Sequence, residues 1–113
     1  MQINSVGNTS FGAKFDVMMD IILRRAVDQD PSQDYEVQSL RNSFSDKYCF
    51  YTVPDVSGGY DYDIYIGLSK NPKKKVYVSS INWVNPNGPE GNKLSNISYI
   101  LGVMERSNQI PKA

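Results

Sequence analysis

Residues 60–69 read YDYDIYIGLS, and this stretch decides the fold class. Every second position from Tyr60 to Leu68 carries a large apolar or aromatic side chain, and Asp61 and Asp63 stand between them. A period of two over this length is typical of a β-strand that buries one face and leaves the other toward water. The stretch therefore predicts an amphipathic strand inside a sheet whose two faces differ.

Two further stretches predict neighbouring strands. Residues 48–53 are aromatic and β-branched and end at Pro54, and residues 76–84 form a second β-type run. A Ser-Gly-Gly turn at 57–59 and a lysine-rich turn at 70–75 connect the three segments. Because connections this short join antiparallel neighbours, the sequence predicts a meander.

Helical periodicity occurs near both ends of the chain. Over residues 15–29 the apolar side chains follow i, i+3, i+4, i+7 spacing and begin at Phe15. Over residues 96–107 a second apolar stripe includes Leu101, and Ser95 is the expected N-cap. Residues 32–47 are ambiguous between helix and strand. The spacing of Val37, Leu40 and Phe44 favours a helix.

Together these elements predict an α+β two-layer sandwich in the order α(α)βββα. Its antiparallel meander has three strands, or four if a further segment joins, and packs against the N- and C-terminal helices. We expect a single domain over residues 13–108, a flexible leader or edge segment over 1–12 and a tail over 109–113. The expected core includes Ile22, Ile64, Ile66 and Leu101.

Composition excludes several function classes. The chain has no histidine and only one cysteine, Cys49, so it forms no histidine-based catalytic relay, no histidine-ligated zinc site and no internal disulfide. Cys49 lies in an apolar run and is expected to be a buried, unreactive thiol. The glycines of the chain do not form a phosphate-binding motif. From this composition we expect no cofactor, no metal and no enzymatic activity.

Charge is balanced overall but not along the chain. Residues 1–63 carry ten acidic and five basic side chains, whereas residues 64–113 carry two acidic and seven basic ones. We favour the interpretation that folding interleaves the two halves and cancels this charge difference. The alternative is that the halves form patches of opposite charge that drive contacts with a partner. No apolar run is long enough to span a bilayer, so the sequence predicts a cytoplasmic protein without membrane contact.

Large aromatic side chains exceed what one sheet face needs. If helices cover only one face, some of Tyr51, Tyr65, Tyr77 and Trp83 are exposed and form a protein interface for another protein or a second copy of this chain. The alternative is that the 1–12 leader or the 85–93 loop covers them.

The leading hypothesis is therefore a small non-enzymatic binding protein that acts through an aromatic-rich sheet surface. One alternative is a nucleic-acid-binding module in which lysines of the turn hold phosphates and nearby rings stack on bases; these lysines are Lys70, Lys73, Lys74 and Lys75. Another is a small enzyme or ligand binder that uses Asp61, Asp63 and tyrosines.

Overall fold

The computed structural model describes residues 12–88 and 93–113, which form a helical layer packed on a four-stranded sheet. In chain order the elements are β1 (Lys14–Phe15), α1 (Val17–Gln29), a 3-10 turn (Pro31–Gln33), α2 (Asp34–Asn42), β2 (Tyr48–Pro54), β3 (Asp61–Leu68), β4 (Asn71–Asn82) and α3 (Leu94–Arg106). The predicted α+β architecture is confirmed, and the ambiguous segment is helical.

The sheet has the order β1-β2-β3-β4. The antiparallel meander of β2, β3 and β4 is the predicted one. The fourth strand, β1, pairs in parallel with β2 and aligns Lys14 with Cys49 and Phe15 with Phe50. A parallel neighbour needs a long crossover connection, and α1 and α2 supply it between β1 and β2.

The helices bury their apolar stripes against one face of this sheet. Ile22, Ile64 and Ile66 are fully buried and Leu101 is 3% exposed, so the predicted core positions are confirmed. One continuous cluster joins helix and sheet side chains, and its large members include Met19, Ile22, Leu40, Phe50, Ile64, Ile66, Ile81, Leu94, Ile97 and Leu101. The helices thus give the sheet one dry face.

Two predicted helix boundaries are wrong. Phe15 is not the first helical apolar residue but belongs to β1, because Asp16 caps α1 and its carboxylate accepts from the Met19 backbone N–H at 2.8 Å. The last helix begins at Leu94 with Lys93 as N-cap, rather than after Ser95. Leu94 is fully buried, so packing of its side chain fixes the start of α3 in place of a side-chain cap.

The lysine-rich turn is shorter than predicted. Leu68 pairs with Asn71, so only Ser69 and Lys70 lie between the strands, and the segment from Asn71 onward belongs to β4. A register shift beside Gly67 accommodates the extra β4 residues. A Cβ at Gly67 would lie 2.6 Å from the Lys75 Cβ, so only glycine permits this close approach.

The carboxylate of Asp16 joins the helical layer to the sheet. Besides capping α1, it accepts from the Thr52 backbone N–H at 2.7 Å and from the Thr52 hydroxyl at 2.9 Å. The Asp16 backbone N–H in turn donates to the Phe50 carbonyl. One side chain therefore satisfies donors of a helix end and of the β2 strand, where β1 stops pairing.

The two ends of the chain differ in what the structure describes. The 109–113 tail lies on the domain: Ile110 packs against the core, and the Pro111 carbonyl accepts from the Tyr48 hydroxyl at 2.7 Å. The predicted leader falls mostly on residues 1–11, outside the described residues. Among the described residues, no helix has the length and apolar character needed to cross a bilayer.

Replacing Asp16 with alanine should destabilise the fold by about 2–4 kcal/mol. The change removes an N-cap, which contributes about 1 kcal/mol, and leaves the Thr52 N–H without its acceptor at a further cost of about 1–3 kcal/mol. Urea unfolding followed by circular dichroism measures the effect. The matched control is Asp20→Ala, which removes an i,i+4 pair with Arg24 and a first-turn charge and should cost about 1 kcal/mol at most. Equal losses in the two variants would contradict this role for Asp16.

Candidate functional site

The sheet face opposite the helices carries the candidate site. Alternation and register place on it the side chains of Cys49, Tyr51 and Val53 from β2, Asp61, Asp63 and Tyr65 from β3, and Lys75, Tyr77 and Ser80 from β4. We call this set the tyrosine face. Its tyrosines do not belong to the helix-packed core cluster, and no described helix covers them.

Three tyrosines form a row across the middle of this face. Tyr51 pairs with Tyr65, and Tyr65 pairs with Tyr77, so the rings come from three adjacent strands. The Tyr65 and Tyr77 rings meet edge to face with centroids 5.8 Å apart. Tyr77 is 51% exposed, and Tyr51 and Tyr65 are partly exposed. The row presents an aromatic surface whose rings contact one another.

Polar contacts fix the row at both sides. The Tyr51 hydroxyl donates to the Leu68 carbonyl at 2.7 Å. The Lys75 ammonium lies 5.8 Å from the Tyr51 ring centroid and 5.6 Å from that of Tyr65, within the range of cation–π attraction. On the opposite side the Tyr77 and Ser80 hydroxyl oxygens are 3.0 Å apart.

Trp83 does not lie in this row, although the sequence groups it with the three tyrosines. Simple alternation from Tyr77 would place Ile81 and Trp83 on the same face as Tyr77. A β-bulge between the Ile64 and Tyr65 pairs inserts one residue into β4 and reverses that parity. Ile81 is consequently fully buried, and Trp83 packs against the core with the Arg25 guanidinium 4.9 Å from its ring centroid.

The 85–93 loop was the alternative cover for the aromatic side chains, and its described part does not lie on the tyrosine face. Pro86 is fully buried, and the Asn87 amide donates to the Ala26 carbonyl of α1 at 2.8 Å. Residues 85–88 therefore lie along the helical layer. The rest of the proposed cover, residues 1–11 and 89–92, lies outside the described residues.

Lysines gather at one end of the sheet. Lys70, Lys73 and Lys74 are exposed where β3 turns into β4, as the sequence suggested. The fold adds Lys14 and Lys47, which the sequence separates from that turn by more than twenty residues. These five lysines and Lys75 define the lysine end. Pairing of β1 with the start of β2 brings Lys14 there, a contact that propensity alone does not reveal.

Carboxylates gather at the opposite end of the strands. Asp61 and Asp63 lie at the start of β3, and Asp55 follows β2 beside them; these three define the acidic end. The Asp63 carboxylate accepts from the Ser80 hydroxyl at 2.7 Å. Hydrogen bonds from the Ser57 hydroxyl and N–H lower the pKa of Asp55, which keeps this partly exposed group charged. In the described part of the chain, no three metal-ligating side chains form a cluster.

Cys49 is buried, as predicted, at 8% exposure. Burial, and then the negative charge of Asp16, raises the pKa of its thiol. Since the thiolate is the reactive form, this environment opposes nucleophilic chemistry at neutral pH.

The buried thiol should therefore react with a small maleimide or disulfide reagent only after the protein unfolds. We expect labelling at pH 7 in native buffer to be at least about tenfold slower than in denaturant, because both access and thiolate fraction are low. Mass spectrometry of timed aliquots measures the rate. Rapid native labelling would show that the thiol is accessible and would contradict the assigned burial.

Comparison with known proteins adds no identity to this geometry. The chain matches no family model, no curated protein and no solved structure.

Proposed function

We propose that this chain is a non-enzymatic binding protein that engages another polypeptide through the tyrosine face. The single observation that carries the proposal is the row formed by Tyr51, Tyr65 and Tyr77 on a sheet face that no described helix covers. Exposed aromatic clusters on an otherwise polar surface are characteristic of protein interfaces.

The tyrosine side chains of the row are already restrained by contacts within the protein, and this supports a role in binding a polypeptide. An interface side chain that is free before binding loses conformational entropy when the complex forms. Here the edge-to-face contact of Tyr65 with Tyr77 and the hydrogen bond of Tyr51 already restrict the rings. Tyrosine also offers a large contact area with only two side-chain torsions and a hydroxyl that stays hydrogen-bonded at an interface.

Nucleic acid is the second candidate partner, and the lysine end is the observation that favours it. Lysines beside aromatic rings on a sheet suit single-stranded nucleic acid, whose phosphates and bases they contact. Two features of the face oppose it. The Lys75 ammonium lies over the Tyr51 and Tyr65 rings, where a base would stack. Asp61 and Asp63 on the same face would repel a phosphate backbone.

The enzyme or ligand-binder alternative receives no support from the described residues. It requires Asp61 and Asp63 to converge with tyrosines on a substrate. Among the described residues, Asp61 and Asp63 form no cluster with a third metal-ligating side chain, and the tyrosine row presents a surface toward solvent. We therefore place the function at the protein-binding surface.

The test is capture of proteins from source-cell lysate on immobilised protein, with Tyr77→Ser as the probe variant. Loss of one anchor at an interface centre typically costs about 2 kcal/mol, or roughly a thirtyfold loss of affinity. We expect the specific bands to disappear with Tyr77→Ser. Tyr99→Ser is the matched control, because Tyr99 is 71% exposed on α3, away from the sheet, and its loss should leave capture unchanged. Thermal melts of all three proteins show that the variants are folded.

Repeating the capture at several salt concentrations and after nuclease treatment distinguishes a protein partner from a nucleic-acid partner. An apolar protein contact persists when NaCl is raised from low to high concentration, whereas phosphate contacts weaken steeply. Capture that ignores Tyr77 but vanishes with nuclease, high salt or Lys73→Glu would replace the protein partner by nucleic acid. No Tyr77-dependent capture at any salt concentration would contradict the proposed function.

A further inference from the structure

On the tyrosine face the fold separates positive and negative side chains along the strands. On this face, Lys75 lies two residues from Tyr77 toward the lysine end. Asp63 lies two residues from Tyr65 in the opposite direction. The aromatic row is thus the midline of the face, with opposite charges at equal register distance on its two sides.

A pattern of this kind is complementary to itself. Two sheets that pack face to face lie about 10 Å apart, and two copies of one chain do so about a two-fold axis between them. An axis parallel to the strands would place lysine end on lysine end. An axis perpendicular to the strands, along the tyrosine row, reverses one copy. It then places the lysine end of each copy over the acidic end of the other.

We propose that a second copy of this chain occupies the tyrosine face, with its strands reversed so that the tyrosine rows meet and Lys75 of each copy faces Asp63 of the other. This inference rests on the proposed function and names the partner of that same surface. A foreign partner of single charge would match only one half of the face, whereas a reversed copy matches both halves.

The charged groups are available for these contacts. Among the described residues, the one salt bridge joins Arg24 to Asp20, so neither Lys75 nor Asp63 is engaged by an opposite charge within 4.0 Å. Lys75 donates only to the nearby Pro72 carbonyl at 3.2 Å, from a position beside the rings. Asp63 retains acceptor capacity after accepting from Ser80.

The size of the face sets the strength of the complex. Three strands spaced by about 4.8 Å and about seven residues at roughly 3.3 Å each give a face of about 14 by 23 Å. This is well below the roughly 800 Å² per partner of a standard stable interface. We therefore expect a weak, reversible dimer that is favoured by low salt.

Sedimentation equilibrium over a wide concentration range at low salt tests the proposal. The variants are Asp63→Lys and Lys75→Glu, each of which places like charges opposite each other in its own dimer. Each should weaken self-association by at least about tenfold. Mixed in equal amounts they should associate again, because the Lys75 of the first variant then meets the Asp63 of the second and the two new side chains pair. Circular dichroism verifies that both variants are folded.

A matched pair controls for general attraction between oppositely charged proteins. Asp28→Lys and Lys112→Glu make the same charge changes at exposed positions off the tyrosine face. Each should self-associate like the unmodified chain, and mixing should add nothing. When Tyr77→Ser is added to both the Asp63→Lys and the Lys75→Glu proteins, their mixture should no longer associate.

The outcomes distinguish this inference from the proposed function. An unmodified chain that stays monomeric at all concentrations would overturn the second copy as occupant. The proposed function then still stands if capture of a different protein depends on Tyr77. Self-association that neither charge variant weakens, or that mixing does not restore, would overturn the reversed arrangement.

Discussion

The rest of the structure depends on burial of a single face of the sheet by the helices. α1, α2 and α3 contribute their apolar stripes to one cluster with Phe50 and Ile64. Water is excluded from that face, so burial there contributes most of the hydrophobic stabilisation. The Asp16 carboxylate holds the start of this layer to β2 through the α1 cap and Thr52. Side chains on the other face of the sheet are not buried by the described helices, so packing against those helices does not determine their identity.

The β-bulge in β4 determines which aromatic residues lie on which side. Without the inserted residue, the alternation would carry Ile81 and Trp83 outward together with Tyr77. With it, Ile81 fills the core, Trp83 packs beside Arg25, and Tyr77 alone completes the row with Tyr51 and Tyr65. The pairing of β3 with β4 also places Lys75 and Asp63 on opposite sides of that row. A local irregularity thus shapes the surface on which the functional proposal depends, as bulges commonly do beside functional sites.

Periodicity was sufficient for the architecture because local patterns and burial agree along most of the chain. The alternation over 60–69 and the stripe through Ile22 correctly predict elements and core. The same reasoning failed where tertiary contacts decide. β1 has only two residues, and its pairing with β2 has no local signature. The bulge and the gathering of Lys14 with Lys70 likewise depend on register between strands, and this information is not contained in any single segment.

We propose that the tyrosine row is open to solvent in the free monomer and closed by association. Nuclear magnetic resonance of the aromatic ring protons in the presence of a neutral gadolinium chelate measures this exposure. In dilute solution we expect the Tyr77 signals to broaden nearly as strongly as those of the exposed Tyr99, while Phe50 stays protected. In concentrated solution Tyr77 should become protected and Tyr99 should not. Protection of Tyr77 comparable to that of Phe50 in the dilute monomer would contradict the account, because the face would then already be covered.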